Sequence, residues 1–266
     1  MPASASMLLK KAAQFLDTCL QPECVRTNRN TGLIRLIACV CMVIDHYGKM
    51  LFPQLPVMRL IGRIAFPLFA YGIAVGAVYT KDPLKYLSRV VLLALVCQPL
   101  YALGLAHENG LMYAVPFARN PLLSVWNFYL NSWQKPSILL SLSLGLAILL
   151  SLREKKWILA VGLYILCERM TGKLDYGVDG IRLILMFYLL CGHPLLSLAA
   201  CTAFMFYWSQ GSGYEIFGFE FNMRIYALPA MLLTQIPMRK NLHLPRWFIY
   251  GFYPAHLVPL IILSHL

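Results

Sequence analysis

Two adjacent ionisable residues, Asp45 and His46, stand inside an apolar stretch of about membrane-spanning length that runs from Leu33 to Phe52. Ionisable groups within a membrane span are costly, so they usually face a protein-lined cavity and have a function there, in catalysis or in an ion pathway. On a helix, neighbouring side chains point about 100° apart. We therefore expect Asp45 and His46 to find their partners on other helices and not in each other.

The next apolar stretch supplies two candidate partners, Arg59 and Arg63, which lie four residues apart and share one face of a helix predicted over about 57–79. Arg63 either extends its charge toward the lipid headgroups or pairs with Asp45 and helps to clamp a phosphate or carbonyl group. Arg59, like Lys49 near the end of the preceding stretch, fits an interfacial anchor. Pro67 predicts a kink in this helix.

Further cations lie near the predicted cytoplasmic ends of the helices. Arg35 is eleven positions before His46, so the two residues fall within about 20° of the same helix face. Lys85 and Arg89 are four apart near the start of a helix predicted over about 84–105. Extension toward headgroups and contact with the phosphates of a ligand both explain such residues.

The second half of the chain adds three candidates. Asp179 fits a helix N-cap after a glycine-rich turn, but Asp175 in the same turn has no such explanation. His256 lies in the last apolar stretch, and Tyr253 precedes it by three positions on the same helix face. His256 is either a buried histidine that bonds to a backbone carbonyl or a member of the site.

The composition identifies the elements that must position these residues. Hydrophobic residues make up 59% of the 266 positions and charged residues 13%, with a mean hydropathy of +0.65. Soluble domains are less apolar and about twice as charged. The long apolar runs predict an all-α polytopic membrane protein, with about nine transmembrane helices in a range of eight to ten. These are expected at about 33–52, 57–79, 84–105, 137–152, 157–170, 181–191, 194–209, 224–237 and 247–263.

Two segments fall outside this pattern. Residues 1–32 are polar to amphipathic and are interpreted as a cytoplasmic interfacial segment before a transmembrane domain over 33–266. Residues 106–136 are broken by prolines and predict a re-entrant or interfacial segment. The formal net charge is +12, but the cations lie between apolar runs and not in one patch. We therefore expect a multi-pass protein with its N-terminus inside, with membrane lipid and not nucleic acid as its surroundings. No metal-ligand spacing is present.

Five motifs carry a resemblance to a known family. They are Leu36-Ile37-Ala38 with Met42-Val43-Ile44-Asp45-His46, the stretch Arg59–Phe69, Lys85-Tyr86 with Arg89, Asp175-Tyr176-Gly177 with Gly180, and the ending Phe248–Leu257. The GRIAFPLF stretch and the YxxYPxHL ending are the most specific. Together they resemble the TraX family, named for the F-pilin acetyltransferase of conjugative plasmids, and are similar to the wider group of membrane acyltransferases.

The resemblance implies N-acetylation of a pilin subunit at the bacterial inner membrane, with acetyl-coenzyme A as the donor. Acetyl transfer to an amine needs a base and a fixed geometry. We therefore expect His46 to be the general base, or else a transient acetyl carrier, and Asp45, through Arg63, to orient a donor or the ammonium of the acceptor. We expect supporting roles for Arg59, Asp175, Tyr253 and His256. The phosphates of coenzyme A are expected to bind to Arg35, Lys85 and Arg89. Lys155 and Lys156 are further candidates for the phosphates.

Without the resemblance, an enzyme and an ion- or proton-coupled transporter explain the buried charges equally well. A non-catalytic pilus assembly factor explains the helices but not Asp45 and His46. The sequence leaves open the natural acceptor and the oligomeric state.

Overall fold

A computed structural model of the chain describes residues 28–105, 119–237 and 242–264, together with Met7, Lys10, Lys11 and Gln14. Most of the predicted cytoplasmic segment 1–32, and residues 106–118 of the predicted re-entrant segment, lie outside the described residues. The helices are α1 (Gly32–Leu51), α2 (Pro56–Gly62), α3 (Ala65–Tyr79), α4 (Pro83–Leu105), α5 (Pro121–Ser132), α6 (Ile138–Arg153), α7 (Trp157–Arg169), α8 (Gly177–Leu189), α9 (Pro194–Trp208), α10 (Leu228–Gln235) and α11 (Arg246–Ser264).

The all-α prediction is confirmed, whereas nine membrane crossings are not. In the described part of the chain, three helical segments are long and apolar enough to cross a membrane, namely Pro56–Tyr79, Pro83–Leu105 and Trp247–Ser264. Helix α1 has 20 residues, but it carries charges at Arg35, Asp45 and Lys49. Several other helices lie close to their predicted positions but are shorter than the ~20 residues that a full crossing takes.

The helix predicted over 57–79 is broken between α2 and α3. Pro67 has no backbone N–H and so leaves the carbonyl of Arg63 without its intrahelical donor. At this point the N–H groups of Arg63 and Ile64 instead bond three residues back, to Leu60 and Ile61, at 3.2 Å each. The break therefore falls one turn before the proline, and it places Arg63 at a corner of the chain.

Helix α3 lies at the centre of the bundle, with twelve of its fifteen residues buried. It packs against α1, α6 and α8. Its small residues allow this close packing. Helices α2 and α4, which precede and follow α3 in the chain, also contact α1, where Asp45 and His46 lie.

The aromatic-rich piece within 106–136 forms α5, which packs on α4. The completely buried Gln98 of α4 holds the end of α5, because its amide donates to the carbonyls of Ser132, at 2.6 Å, and Lys135, at 3.1 Å. The Gln98 carbonyl accepts from the N–H of Ser137 at 2.9 Å. A polar side chain thus replaces the missing backbone partners of this irregular segment.

The loop predicted after the seventh helix contains a short antiparallel hairpin of β1 (Gln210–Ile216) and β2 (Phe219–Phe221). The hairpin leads into a 3₁₀-helix at Met223–Ala227 and then into α10. The predicted helix 224–237 is therefore divided into two pieces, because Pro229 lies at the start of α10, where a proline is well tolerated.

Candidate active site

Asp45 of α1 pairs with two arginines. Arg59 belongs to α2, and Arg63 lies at the break between α2 and α3. Its Oδ2 lies 2.7 Å from Arg59 Nη1, and its Oδ1 lies 3.0 Å from Arg63 Nη2. The Asp45 side chain is only 14% exposed. Arg63 therefore pairs with Asp45, whereas Arg59 is not the interfacial anchor that its position suggested. Both carboxylate oxygens are occupied by charged donors, which fixes this carboxylate in place.

His46, the next residue on α1, pairs with His256 of α11. His46 Nδ1 lies 2.8 Å from His256 Nε2, and the two rings are nearly parallel, with centroids 5.0 Å apart. His256 Nδ1 lies 2.9 Å from the carbonyl oxygen of Phe252, one helical turn earlier. His256 therefore bonds to a backbone carbonyl, as one interpretation predicts, and it also contacts His46, a candidate catalytic residue.

Tyr253 lies beside this histidine pair. Its ring meets the His46 ring edge-on, with centroids 6.3 Å apart. Its hydroxyl is buried and has no hydrogen-bond partner among the described residues. A buried hydroxyl without a partner is unusual, so this group is free to bond to a ligand.

These side chains line one small cavity of ≈ 120 Å³, which we call the polar cavity. Its charged and aromatic lining residues are Asp45, His46, Lys49, Arg59, Arg63, Phe66, Phe69, Tyr101, Asp175, Tyr176 and Tyr253. Asp175 reaches this cavity from the turn between α7 and α8. Unlike Asp45, it makes no ion pair or hydrogen bond within the described part of the chain, and its side chain is exposed.

A larger cavity of ≈ 260 Å³, the apolar cavity, adjoins the polar cavity. The two share Met42, Phe69, Ile138 and Tyr253 in their walls. At the far end of the apolar cavity lie Arg35 and Arg89. Arg35 is fixed in part by a bond from Nη2 to the carbonyl of Gly72, at 3.3 Å.

A third cavity of ≈ 410 Å³, the basic mouth, continues this series. It is lined by Tyr79, Thr80, Lys81, Asp82, Lys85, Tyr86 and Arg89. Tyr86 and Arg89 belong to the walls of both the basic mouth and the apolar cavity. The three cavities therefore lie in a row, with basic residues at one end and the Asp45–His46 cluster at the other.

The structure brings the predicted site residues together in two groups. Asp45, His46, Arg59, Arg63, Asp175 and Tyr253 line the polar cavity. His256 is not among its lining residues but bonds to His46. Arg35, Lys85 and Arg89 line the apolar cavity or the basic mouth. Lys156 pairs with Glu154 at 2.5 Å, and neither Lys155 nor Lys156 is among the lining residues of the described cavities.

Sequence reasoning missed Tyr101 and misplaced Lys49. Lys49 was interpreted as an anchor, but it lines the polar cavity and donates to the carbonyl of Leu105. Tyr101 stands in a long apolar run that gives no sign of which aromatic residue faces inward. Among the described residues, no group of histidine, cysteine or acidic side chains could hold a metal ion.

Comparisons with known proteins agree with the motifs in the sequence. A stretch of 39 residues is 49% identical to a protein of Rickettsia prowazekii (strain Madrid E) described as uncharacterised, and covers 15% of this chain and 16% of that relative. No solved structure matches the chain. A family model described as TraX protein matches residues 30–264. Because this match covers most of the sequence, the chain belongs to the TraX family.

Proposed function

We propose that this protein is a membrane-embedded N-acetyltransferase. In this proposal it moves the acetyl group of cytoplasmic acetyl-coenzyme A to the N-terminal amine of a pilin subunit at the bacterial inner membrane. Membership of the TraX family supports a pilin-related role in conjugation. The observation that carries the proposal is the row of three cavities, which leads from a basic mouth to a polar cavity that His46 and Asp175 both line.

The donor fits the basic end of this row. Coenzyme A carries several phosphate groups, and these favour a site with lysine and arginine side chains. Lys85 and Arg89 would hold the phosphates at the basic mouth, and Arg35 would contact them from the apolar cavity. The flexible arm of the donor would then lie in the apolar cavity and present its thioester beside Tyr253.

The acceptor fits the other end. An amine is an ammonium ion near neutral pH, and it favours a carboxylate that is not already in an ion pair. Asp175 is such a carboxylate, whereas Asp45 is already neutralised by Arg59 and Arg63. The rings of Tyr101 and Tyr176 line the same cavity and add the aromatic faces that attract cations.

In the proposed chemical step the bound ammonium first releases one proton to solvent. The neutral amine nitrogen then attacks the thioester carbonyl carbon and carries one surplus proton in the tetrahedral intermediate. A C–N bond forms and the C–S bond breaks, so the products are an amide and the thiol of coenzyme A. His46 removes the proton from the nitrogen and returns it to the departing thiolate. The free hydroxyl of Tyr253 donates to the carbonyl oxygen as negative charge develops there, a type of contact worth about 10²- to 10³-fold in rate.

The experiment is acetyl transfer by the purified protein in detergent, with labelled acetyl-coenzyme A and a synthetic peptide that carries a pilin N-terminus. We expect label on the free peptide and none on a peptide whose amine is already blocked. His46→Ala should abolish transfer, whereas His243→Ala, at an exposed histidine outside the cavities, should retain it. Full activity of the folded His46→Ala variant would remove His46 from the mechanism. Ion flux through liposomes without any acetyl transfer would favour a transporter.

A further inference from the structure

We infer that His256 is a positioning residue that fixes the tautomer of His46, so that the Nε2 atom of His46 carries the lone pair used as the base. The inference rests on the proposed acetyl transfer for its functional meaning. It adds which nitrogen of His46 acts and which residue selects it. The observation behind it is a chain of two hydrogen bonds, of 2.8 Å and 2.9 Å, that ends on a backbone carbonyl.

The direction of these two bonds follows from the chemistry of their end. The carbonyl oxygen of Phe252 can only accept, so Nδ1 of His256 must be protonated to bond to it at 2.9 Å. In neutral His256 the other nitrogen, Nε2, is then an acceptor. The 2.8 Å contact with His46 therefore requires a proton on Nδ1 of His46, and this leaves Nε2 of His46 unprotonated.

The packing around the pair holds both rings in this arrangement. The His46 and His256 rings are nearly parallel, with an interplanar angle of 18°. The Phe252 ring is also nearly parallel to the His256 ring, at an angle of 21°. Tyr253 meets both imidazoles edge-on. A ring flip of His256 would lose the bond to Phe252 and leave the carbon edge of its ring facing His46, so the surroundings select one orientation.

The arrangement also limits where a proton can go. When His46 takes a proton on Nε2, its Nδ1–H remains bonded to the neutral His256, which supports the imidazolium by hydrogen bonding alone. His256 cannot pass a proton onward, because its own Nδ1–H is committed to a carbonyl. The proton therefore stays on His46 until the leaving thiolate takes it.

Two substitutions of His256 separate positioning from packing. In His256→Gln the amide reaches about as far as Nε2 of histidine and can still accept from His46. In His256→Asn the amide reaches only as far as Nδ1 and can still bond to the Phe252 carbonyl, but not to His46. We expect His256→Gln to keep activity within about tenfold of wild type, and His256→Asn to lose about 10- to 100-fold in kcat with an unchanged KM for acetyl-coenzyme A.

The tautomer itself is measured by nitrogen NMR of the full-length protein labelled with ¹⁵N-histidine, with the His46 signals assigned through His46→Ala. The inference predicts a protonated Nδ1 and an unprotonated Nε2 in wild type and in His256→Gln, and loss of this preference in His256→Asn. A proton on Nε2 of His46 in an active wild-type protein would overturn the inference and leave the acetyltransferase proposal intact. The predicted tautomer in a protein without transfer activity would support the inference and remove the proposed function.

Discussion

Gly62 lies directly against the side chain of Asp45, so that a methyl group added to Gly62 would overlap the Asp45 carboxyl group. The two residues belong to α2 and α1, which follow each other in the chain and pack together. The absence of a side chain at position 62 therefore lets α2 approach closely enough for Arg59 and Arg63 to reach the same carboxylate.

Gly62→Ala should push α2 away from α1 and separate Asp45 from its arginines. We expect a loss of about 1–3 kcal/mol in the free energy of unfolding and a clear decrease in acetyl transfer. Unfolding in detergent and the transfer assay measure the two effects. Gly162→Ala is the matched control, because nothing lies within 4 Å of a Cβ at that helical position. Equal behaviour of the two variants would show that the close approach at Gly62 has no consequence.

The two ion pairs of Asp45 predict unequal effects when partners are removed. Asp45→Ala leaves two guanidinium groups without their carboxylate, whereas Arg59→Ala leaves Asp45 still paired with Arg63. Asp45→Ala should therefore be the more destabilising substitution. When Asp45→Ala and Arg59→Ala are combined, the loss in the free energy of unfolding should be smaller than the sum of the two single losses. The expected difference is about 0.5–3 kcal/mol, the range for residues in one network. Additive free energies of unfolding would mean that the Asp45–Arg59 contact contributes nothing.

Gly72 offers a way to close the apolar cavity. A leucine at position 72 would project beside Arg35 and occupy space in that cavity. We expect Gly72→Leu to raise the KM for acetyl-coenzyme A by about tenfold, equivalent to about 1.4 kcal/mol of lost binding, with less effect on the KM for the peptide. Gly251→Leu is the control, because a Cβ there meets nothing within 4 Å. A normal KM in Gly72→Leu would place the donor elsewhere.

Asp175 and Asp179 are two carboxylates four positions apart in the chain, and they serve as a test residue and its control. Asp175 lines the polar cavity, whereas Asp179 is bound to Arg182 at 2.7 Å and lies outside the cavity lining. Asp175→Asn should raise the KM for the amine acceptor by about tenfold, because one ammonium–carboxylate contact is lost, and leave the KM for acetyl-coenzyme A unchanged. Asp179→Asn should leave both constants unchanged. A higher KM for acetyl-coenzyme A in Asp175→Asn would instead place Asp175 at the donor site.

Much of the architecture was predictable because membrane helices require long apolar runs. The helices predicted over 33–52, 57–79 and 84–105 correspond to Gly32–Leu51, Pro56–Tyr79 and Pro83–Leu105 in the structure. The charged residues inside these runs were recognisable as candidates, since their burial needs a reason. Arg63 as a partner of Asp45 was among the alternatives, and the structure confirms this contact.

Other features depend on packing between distant parts of the chain. His46 and His256 are separated by 210 positions, and no periodicity indicates that α1 and α11 present these two rings to each other. Arg59 looked like an anchor because its position lies near the start of a helix, yet the absence of a side chain at Gly62 brings it to Asp45. The hydrogen bonds of Gln98 at the end of α5 likewise join residues that are 34 to 39 positions apart.

The most direct test of the account is calorimetric binding of acetyl-coenzyme A to the purified protein in detergent, for wild type, Arg89→Ala and His46→Ala. Saturable binding is predicted for wild type, with about tenfold weaker binding in Arg89→Ala, because one phosphate contact is lost, and unchanged binding in His46→Ala, because the base acts after the donor has bound. No binding to folded wild-type protein would contradict the proposed donor and leave the row of cavities without its ligand.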